Sequence, residues 1–494
     1  MELNDLITGI SAKETWGKLD SEVRAVQYDS RKVEPGDIFV AMRGEVADGH
    51  RFVEKAIEQG AVAIVAEEAP QSVNLDVGWI RVADSRAALG PIAAQILNQP
   101  SRDLKLAGIT GTNGKTTTAF LVQHLCNAAQ RQCGLIGTVR YDTGGRTVEA
   151  SRTTPESSEV HQLLAEMREF GCRAGVMEVS SHGLQQHRVA GVEFDVAVFT
   201  NLSQDHLDFH GSMQDYYEAK RILFQHLEDQ SGDKQRSMVV NGDDNWGQRL
   251  LRQNYPNVRK LSFGMGVGRD FRAINLNSQF EGTSFTLEAK KRQFMVRSPM
   301  IGAFNVYNSI AALATATAMG LNLREAIQHL ADGPQVPGRM ESVDSGMPFR
   351  VFVDYAHTPD ALEKACATLR ELKPKRLITV FGCGGDRDRD KRPLMARAAS
   401  VGSDAVLLTS DNPRTEDPQQ ILEDAKKGLA GVEFAIIEDR ETAIREAIMD
   451  AGEKDIVLIA GKGHENYQEL ADGRIDFDDR LVAQHAINDL RNQR

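Results

Sequence analysis

The stretch GITGTNGKTTTAF at residues 108–120 sets an apolar run, a glycine-rich loop and a lysine followed by threonines in one line. That order presents backbone N–H groups and a helix N-terminus to phosphate oxygens. Lys115 is placed to neutralise terminal phosphates, and Thr116 to reach a magnesium ion. The spacing departs from the usual Walker form, because Gly108 and Gly114 stand one residue too far apart for it. Glu178, in MEVSSHGLQQHR, and His206, in NLSQDHLD, each follow a further apolar run. A carboxylate and an imidazole near a phosphate loop could complete a magnesium site, although that ion prefers oxygen. Taken singly, each also reads as a hydrogen-bonded structural residue, as do His182, His187 and His210.

Lys220 poses a sharper question. In SMQDYYEAKRILFQHL, helical spacing gathers Tyr216, Leu223, Phe224 and Leu227 on one stripe, with Lys220 in its middle. Either the stem packs and the ammonium snorkels out to water, or the amine is desolvated enough to lose its proton and react with carbon dioxide, becoming a carbamate. In the last third, GCGGDRDRDKRP carries Arg387 and AGKGHE carries Gly461 and Glu465, with DNPRTEDP between them at 411–418. Asp417 is a natural helix cap, Pro418 suits a first turn, Gln420 is placed to complete a capping pair, and Lys426 and Lys427 close the helix before Gly428. Those roles leave Arg414 unexplained, unless it is an ordinary solvated loop arginine.

Such residues need elements to hold them. LKLAGIT, AGVMEV and DVAVFT, each followed by a polar loop and helical periodicity, predict a parallel sheet covered by helices. FRVFVDY, RLITVFG, DAVLLTS and DIVLIAG form a second set after GPQVPGRM, residues 333–340, where paired Pro and Gly mark a linker. GDIFVAM and GAVAIVAEE belong to a smaller first unit, so the expected domains are 1–86, 87–334 and 335–494. In open parallel sheets ligands sit beyond the carboxyl ends of strands. The unusual residues fall at such ends, at 110–117, 178–182, 200–206, 354–357, 382–392, 411–414 and 461–465, which predicts one cleft fed by two domains.

Composition narrows the partners. The 494 residues exceed what one core serves, and a net charge of −12 disfavours nucleic acid and membrane surfaces at long range. The acidic start and the lack of a long apolar run predict a cytoplasmic chain with no membrane insertion. Five cysteines, odd in number and never spaced as CxxC, read as reduced thiols.

Taken together, TGTNGKTTT, EVSSHGLQQHR, NLSQDHLDFH, YYEAKRILF, GAFNVYNSIAA, PGRME, DYAHTPDAL, GCGGDRDRDKRP, DNPRTEDP and AGKGHE, in that order, resemble the Mur ligases. The branch they resemble adds the third amino acid of the peptidoglycan stem peptide. The resemblance spans essentially the whole chain, including YDSRKVEPGDIFVAMRG near its start. It implies an α/β, three-domain architecture: an N-terminal UDP-MurNAc-binding domain, a central P-loop-type parallel-sheet ATPase, and a C-terminal Rossmann-like domain for the incoming amino acid. It implies an ATP-dependent ligase joining meso-diaminopimelate to UDP-MurNAc-L-Ala-D-Glu through an acyl phosphate, acting as a monomer on small molecules.

Carried over residue by residue, the resemblance puts Tyr28 and Ser30 on the UDP end and Arg152, Thr153, Thr154, Ser180, Gln186 and Arg188 on the muramoyl dipeptide. It puts Gly111, Thr112, Asn113, Gly114, Lys115, Thr116 and Thr117 on ATP, with Asn305 and Asn308 on the adenine side. Arg339, Asp354 and His357 would meet the nucleotide as domains close. Lys220 matches a lysine that is carbamylated in the family and, with Thr116, Glu178 and His206, helps hold Mg2+; with Lys115, Glu178, His206 and Lys220 are the expected catalytic set. DNPR resembles the form that binds meso-diaminopimelate, where Arg414 offers a planar fork to the second carboxylate that lysine lacks. Pro413 would stiffen that loop, Asp411 and Asn412 orient it, and Arg387, Gly461 and Glu465 fix the distal amine and carboxylate. Asp390 departs from the expected glycine. A lysine-adding or folylpolyglutamate-type ligase is the nearest alternative, and a non-ligating nucleotide switch the alternative from another class.

Overall fold

The strand ends that carry chemistry are set by two parallel registers. In the computed structural model, which describes residues 1–44, 47–70, 76–230, 232 and 234–493, the strands form three large sheets and one hairpin. The middle of the central sheet runs Cys133–Ile136, Ala174–Glu178, Lys105–Thr110, Val196–Phe199, Arg236–Asn241 and Val258–Gly264, all parallel. These strands are apolar on both faces because helices cover both. Ala107, Ile109 and Val176 face one core, and Leu106, Met177 and Ala197 the other. Glu178 pairs with Ile109, and Phe199 with Thr110, so the ends of three strands lie level beside the loop that starts at Gly111.

The C-terminal sheet repeats the arrangement. Arg350–Asp354, Ile456–Ala460, Leu377–Cys383, Ala405–Ser410 and Glu433–Ile436 lie parallel in that order, with Glu341–Val343 antiparallel at the edge. The hairpin Tyr467–Leu470 with Gly473–Asp476 follows the loop at 461–465. The N-terminal sheet has five strands, in the order Ala12–Trp16, Gly78–Val82, Ala63–Ala66, Ile38–Val40 and Val26–Gln27. Helix Ser85–Ile96 buries Ala88, Leu89, Ile92 and Ala93 in the core of that sheet. The break expected at 86/87 therefore falls inside a helix whose apolar face completes the first unit. At the second break, Val336 lies in the central core and Met340 in the C-terminal one.

Two smaller expectations are corrected or met. Asp417 caps helix Pro418–Lys426 by accepting from the Gln419 N–H at 3.0 Å, but Gln420 does not complete a capping pair. Its amide turns forward along the helix to Asp424, 3.3 Å away. All five cysteines are buried and free. Among the described residues no helix is long and apolar enough to cross a membrane.

One buried ion pair locks the C-terminal strand ends. Arg440, 1% exposed, donates through Nε and Nη2 to the two carboxylate oxygens of fully buried Asp479, both at 2.7 Å. The same guanidinium donates to the Ser410 and Ala460 carbonyls at 3.3 and 3.0 Å, the last residues of two strands. Removing one partner strands the other charge in a dry interior. Asp479→Ala is therefore expected to lower stability by about 3–5 kcal/mol, read as a reduced midpoint in denaturant with an unchanged slope.

Candidate nucleotide and amino-acid site

The glycine loop is built by backbone that only glycine enters cheaply. Gly114 sits at φ +85° as the residue before helix Lys115–Ala128, and a Cβ there would lie 2.3 Å from Asn308 Oδ1. Gly108 is a packing glycine inside the strand: a Cβ would lie 2.8 Å from the Phe194 ring. That explains the unusual spacing, since the phosphate loop begins at Gly111, not at Gly108. Lys115 Nζ curls back onto the Gly111 and Thr112 carbonyls, both at 2.8 Å. Burial pushes its ammonium below the usual lysine range, opposed by Glu178 and reinforced by Arg339.

Glu178 is fully buried and gathers hydroxyls from two elements. Its Oε2 accepts from Thr116 Oγ1 at 2.9 Å and Thr138 Oγ1 at 3.1 Å, and its Oε1 accepts from the Thr138 N–H at 2.8 Å. Arg339 Nη2 reaches across from the second break to donate to Thr116 Oγ1 at 3.2 Å, and its guanidinium stacks 4.4 Å over the Tyr355 ring. His206 stands at the next strand end at φ +53°, with Nε2 3.4 Å from Asp205. Desolvation outweighs Asp205 and lowers its ring to about 4, so it is a neutral imidazole near pH 7. His182 stacks on Phe209 and meets the His206 ring edge-on at 4.9 Å, and His210 pairs with Ser181 Oγ at 2.9 Å.

Lys220 does not snorkel. It is 1% exposed, its Nζ donates to the Gly111 carbonyl at 3.0 Å, and it lies 4.4 Å over the Tyr216 ring. Burial drives its pKa well below the lysine range and Lys115 drives it further, with Asp205 in partial opposition. A neutral, nucleophilic amine is the form this position favours. Among the described residues no cluster of three or more His, Cys, Asp or Glu could hold a metal. Thr116 and Glu178 do touch, whereas His206 and Lys220 approach the loop from other elements.

A cavity of about 670 Å³ lies between the central and C-terminal sheets. Gly114, Lys115, Thr116 and Glu178 line one wall, and Arg339, Asp354, Tyr355 and His357 the other. Burial raises the Asp354 carboxyl to about 6 in spite of Arg339. Asn308 lines the cavity, while Asn305 stays behind it, holding Asn308 Nδ2 through its Oδ1 at 3.0 Å. The 384–390, 411–414 and 461–465 loops open from the same sheet end but do not line this cavity. Tyr355 stands at the join, with the Arg339 guanidinium 4.4 Å from its ring centroid and the His464 ring 5.1 Å away.

At the second site Asn412 is the hub. It donates to Glu465 Oε2 at 2.9 Å and accepts from Lys462 Nζ and the Glu469 N–H, both at 2.9 Å. Asp411 Oδ2 lies so near Gly461, at φ +118°, that a Cβ would come within 2.5 Å of it. Arg414 has a left-handed backbone, φ +55°, and its Nη1 donates to the Gly385 carbonyl at 2.6 Å. A Cβ on Gly385 would lie 1.9 Å from the Pro413 carbonyl oxygen, and Arg387 stays exposed on the neighbouring loop. Asp390 has helical dihedrals, φ −66° and ψ −21°, so glycine is not required there.

The N-terminal side is also joined to the central sheet. Tyr28 donates to Glu159 at 2.9 Å, and Ser30 is buried nearby in the short helix Ser30–Lys32. Arg152 and Arg188 both reach Glu156 Oε1, at 2.8 and 3.0 Å, while Arg86 reaches Oε2 at 3.2 Å. Thr153 meets Thr138, Thr154 accepts from the Ser180 N–H at 3.0 Å, and Gln186 lies half-buried beyond helix Ser181–Gln185. Sequence reasoning missed Thr138, Asp205, Lys462 and Glu469. Lys462, alone between two glycines at a strand end, and Asp205, beside His206, carried a local signal; Glu469 carried none.

Comparison with known proteins places the chain in a family. The chain matches the Mur ligase family catalytic domain over residues 22–96, the Mur ligase middle domain over 109–316, and the Mur ligase glutamate ligase domain over 338–463. It is 47% identical over 470 residues, 94% of each chain, to the UDP-N-acetylmuramoyl-L-alanyl-D-glutamate--2,6-diaminopimelate ligase of Solibacter usitatus. The protein of that name from Geobacillus thermodenitrificans is 45% identical, covering 95% of this chain and 96% of the relative. A solved structure of a ligase with that name is 35% identical, with TM-score 0.73 and 99% of both chains covered. MurF from Thermotoga maritima in complex with ADP, at 20% identity and TM-score 0.62, shares the fold over 95% of this chain and 97% of its own. Matched in three successive segments and aligned with these relatives almost end to end, the chain belongs to the Mur ligase family.

Proposed function

We propose that the chain is an ATP-dependent ligase that joins meso-diaminopimelate to UDP-N-acetylmuramoyl-L-alanyl-D-glutamate, in the synthesis of a peptidoglycan precursor. The relatives' names supply the substrates, and one observation on this chain carries the reading. Arg414 stands in the strand-end loop beside Asn412, Lys462 and Glu465, a set of charges suited to an amino acid with charged groups at both ends. Lysine would leave the outer N–H groups of the guanidinium, beyond the Nε held by Glu469, without a carboxylate, so the loop rejects as well as attracts.

The carboxylate of the D-glutamyl residue takes the terminal phosphoryl group of ATP, releasing ADP, and becomes an acyl phosphate. The diaminopimelate amine then attacks the acyl carbon, phosphate leaves, and the amine's proton passes to solvent. Two anions must meet in the first step. Lys115 and the N-terminus of helix Lys115–Ala128 offset their repulsion, and Arg339 closes over the loop from the C-terminal side. Neutral His206 adds no charge, and burial shifts Lys220 toward the neutral amine that would capture carbon dioxide. As a carbamate it would present oxygen where the chain otherwise has nitrogen. Asn308 would meet the adenine side, with Asp354 and His357 on the opposite wall; Tyr28, Ser30, Arg152 and Arg188 would hold the UDP-sugar and its dipeptide.

Thr116 and Glu178 suit a magnesium ion, which takes few protein oxygens and fills its shell with phosphate and water. The ion supplies charge neutralisation for phosphoryl transfer.

Three measurements test this. Phosphate release from ATP and the UDP-linked dipeptide should be at least tenfold faster with meso-diaminopimelate than with L-lysine or no amino acid; equal rates with lysine would remove the assignment. Arg414→Ala should raise KM for diaminopimelate about 10- to 100-fold, the loss of one charged hydrogen bond, with KM for ATP changed far less. Lys220→Ala should lower kcat by about 10² or more, with partial recovery in formate or acetate; full turnover without rescue would exclude the carbamate role.

A further inference from the structure

Arg414 is held before any substrate arrives. Its Nε donates to Glu469 Oε2 at 3.0 Å, and its backbone N–H donates to the Glu469 carbonyl at 3.0 Å. Nη1 donates to the Gly385 carbonyl from the opposite side, at 2.6 Å. Glu469 lies in the hairpin strand Tyr467–Leu470, 55 residues away, and its other oxygen is 3.6 Å from Arg474 of the partner strand. A guanidinium carries five N–H donors in a plane. One restraint on Nε and one on Nη1 fix that plane and leave the second Nη1 hydrogen and both Nη2 hydrogens for a carboxylate gripped through two parallel bonds.

We propose that Glu469 is a positioning residue for amino-acid selection: it orients the Arg414 guanidinium so that its free end accepts the second carboxylate of the incoming substrate. The inference rests on the proposed function, since it presumes a substrate with that carboxylate. Glu469 does not fill the fork itself, because its contact is at Nε. Its charge also tempers the field of the Arg387, Arg414 and Arg474 group, so that orientation, more than bulk positive charge, selects the ligand. Disorder of the guanidinium is what its loss introduces. The backbone bond between the two residues survives any side-chain change, so the loop keeps its place.

The experiment is steady-state kinetics on the full chain for Glu469→Ala and Glu469→Gln. Glu469→Ala should raise KM for meso-diaminopimelate about tenfold, leave kcat and both other KM values within about twofold, and reduce the preference over L-lysine. Glu469→Gln keeps an acceptor for Nε and should stay within about threefold of the unaltered chain. The Glu469 side chain is 31% exposed, so thermal unfolding of both variants should match the parent. A lower KM in Glu469→Ala would make Glu469 a competitor for the arginine and overturn the proposal. An unchanged KM, equal rises for all three substrates, or a Gln variant as impaired as Ala would overturn it too. If the unaltered chain makes no product with diaminopimelate, the proposed function itself fails, which the parent control reports separately.

Discussion

Two backbones pressed together at Gly338 fix where the chain enters its C-terminal unit. A Cβ on Gly338 would come within 2.1 Å of the Gly463 carbonyl carbon, and the Tyr355 N–H donates to the Gly338 carbonyl at 2.8 Å. Such an approach admits no side chain. It pins the chain's passage from the central to the C-terminal core beside the 461–465 loop, and the next residue, Arg339, can then reach Thr116 on the phosphate loop. The cavity walls and the aromatic step from Arg339 through Tyr355 to His464 follow from that contact.

Electrostatics then sort the two sites. The chain is acidic overall, with a net charge of −12, yet Lys115, Lys220 and Arg339 cluster about one loop. Lys115 and Lys220 cannot both keep full charge so close in a desolvated setting, and the deeper one yields. The amino-acid site is arranged differently. There Lys462 is matched by Glu465 at 3.0 Å, Arg414 by Glu469 and Arg392 by Glu416 at 2.8 Å, while Arg387 stays exposed. The first cavity also carries Glu178, Asp205, Asp243 and Asp354 in its lining, so its cations act locally at the glycine loop and not as a bulk positive field.

Much of this was legible from residues alone. Apolar runs with no alternation marked the parallel strands, and chemistry-bearing residues at their carboxyl ends marked both sites, because a doubly covered sheet leaves only its ends for polar groups. Lys220 stood out as a charge inside an apolar stripe. Its burial, and hence the end of the snorkelling alternative, required knowing that Tyr216 and the Gly111 carbonyl close over it. The position of Tyr355 between Arg339 and His464 was not legible either, since it depends on tertiary packing. Glu469 was invisible for a simpler reason: a hairpin strand with a half-exposed glutamate has no local oddity, and its meaning comes from a partner 55 positions earlier.

The left-handed backbone of Arg414 has an evolutionary consequence. At φ +55° an arginine costs about 1–2 kcal/mol that glycine avoids and asparagine largely avoids. The contacts of its side chain with Glu469 and the Gly385 carbonyl offset part of that cost, so the position holds an arginine that its backbone alone would not favour. If the arginine reads the second carboxylate as proposed, a lineage that switched building blocks would be expected to lose it early, since the backbone would then favour glycine or asparagine.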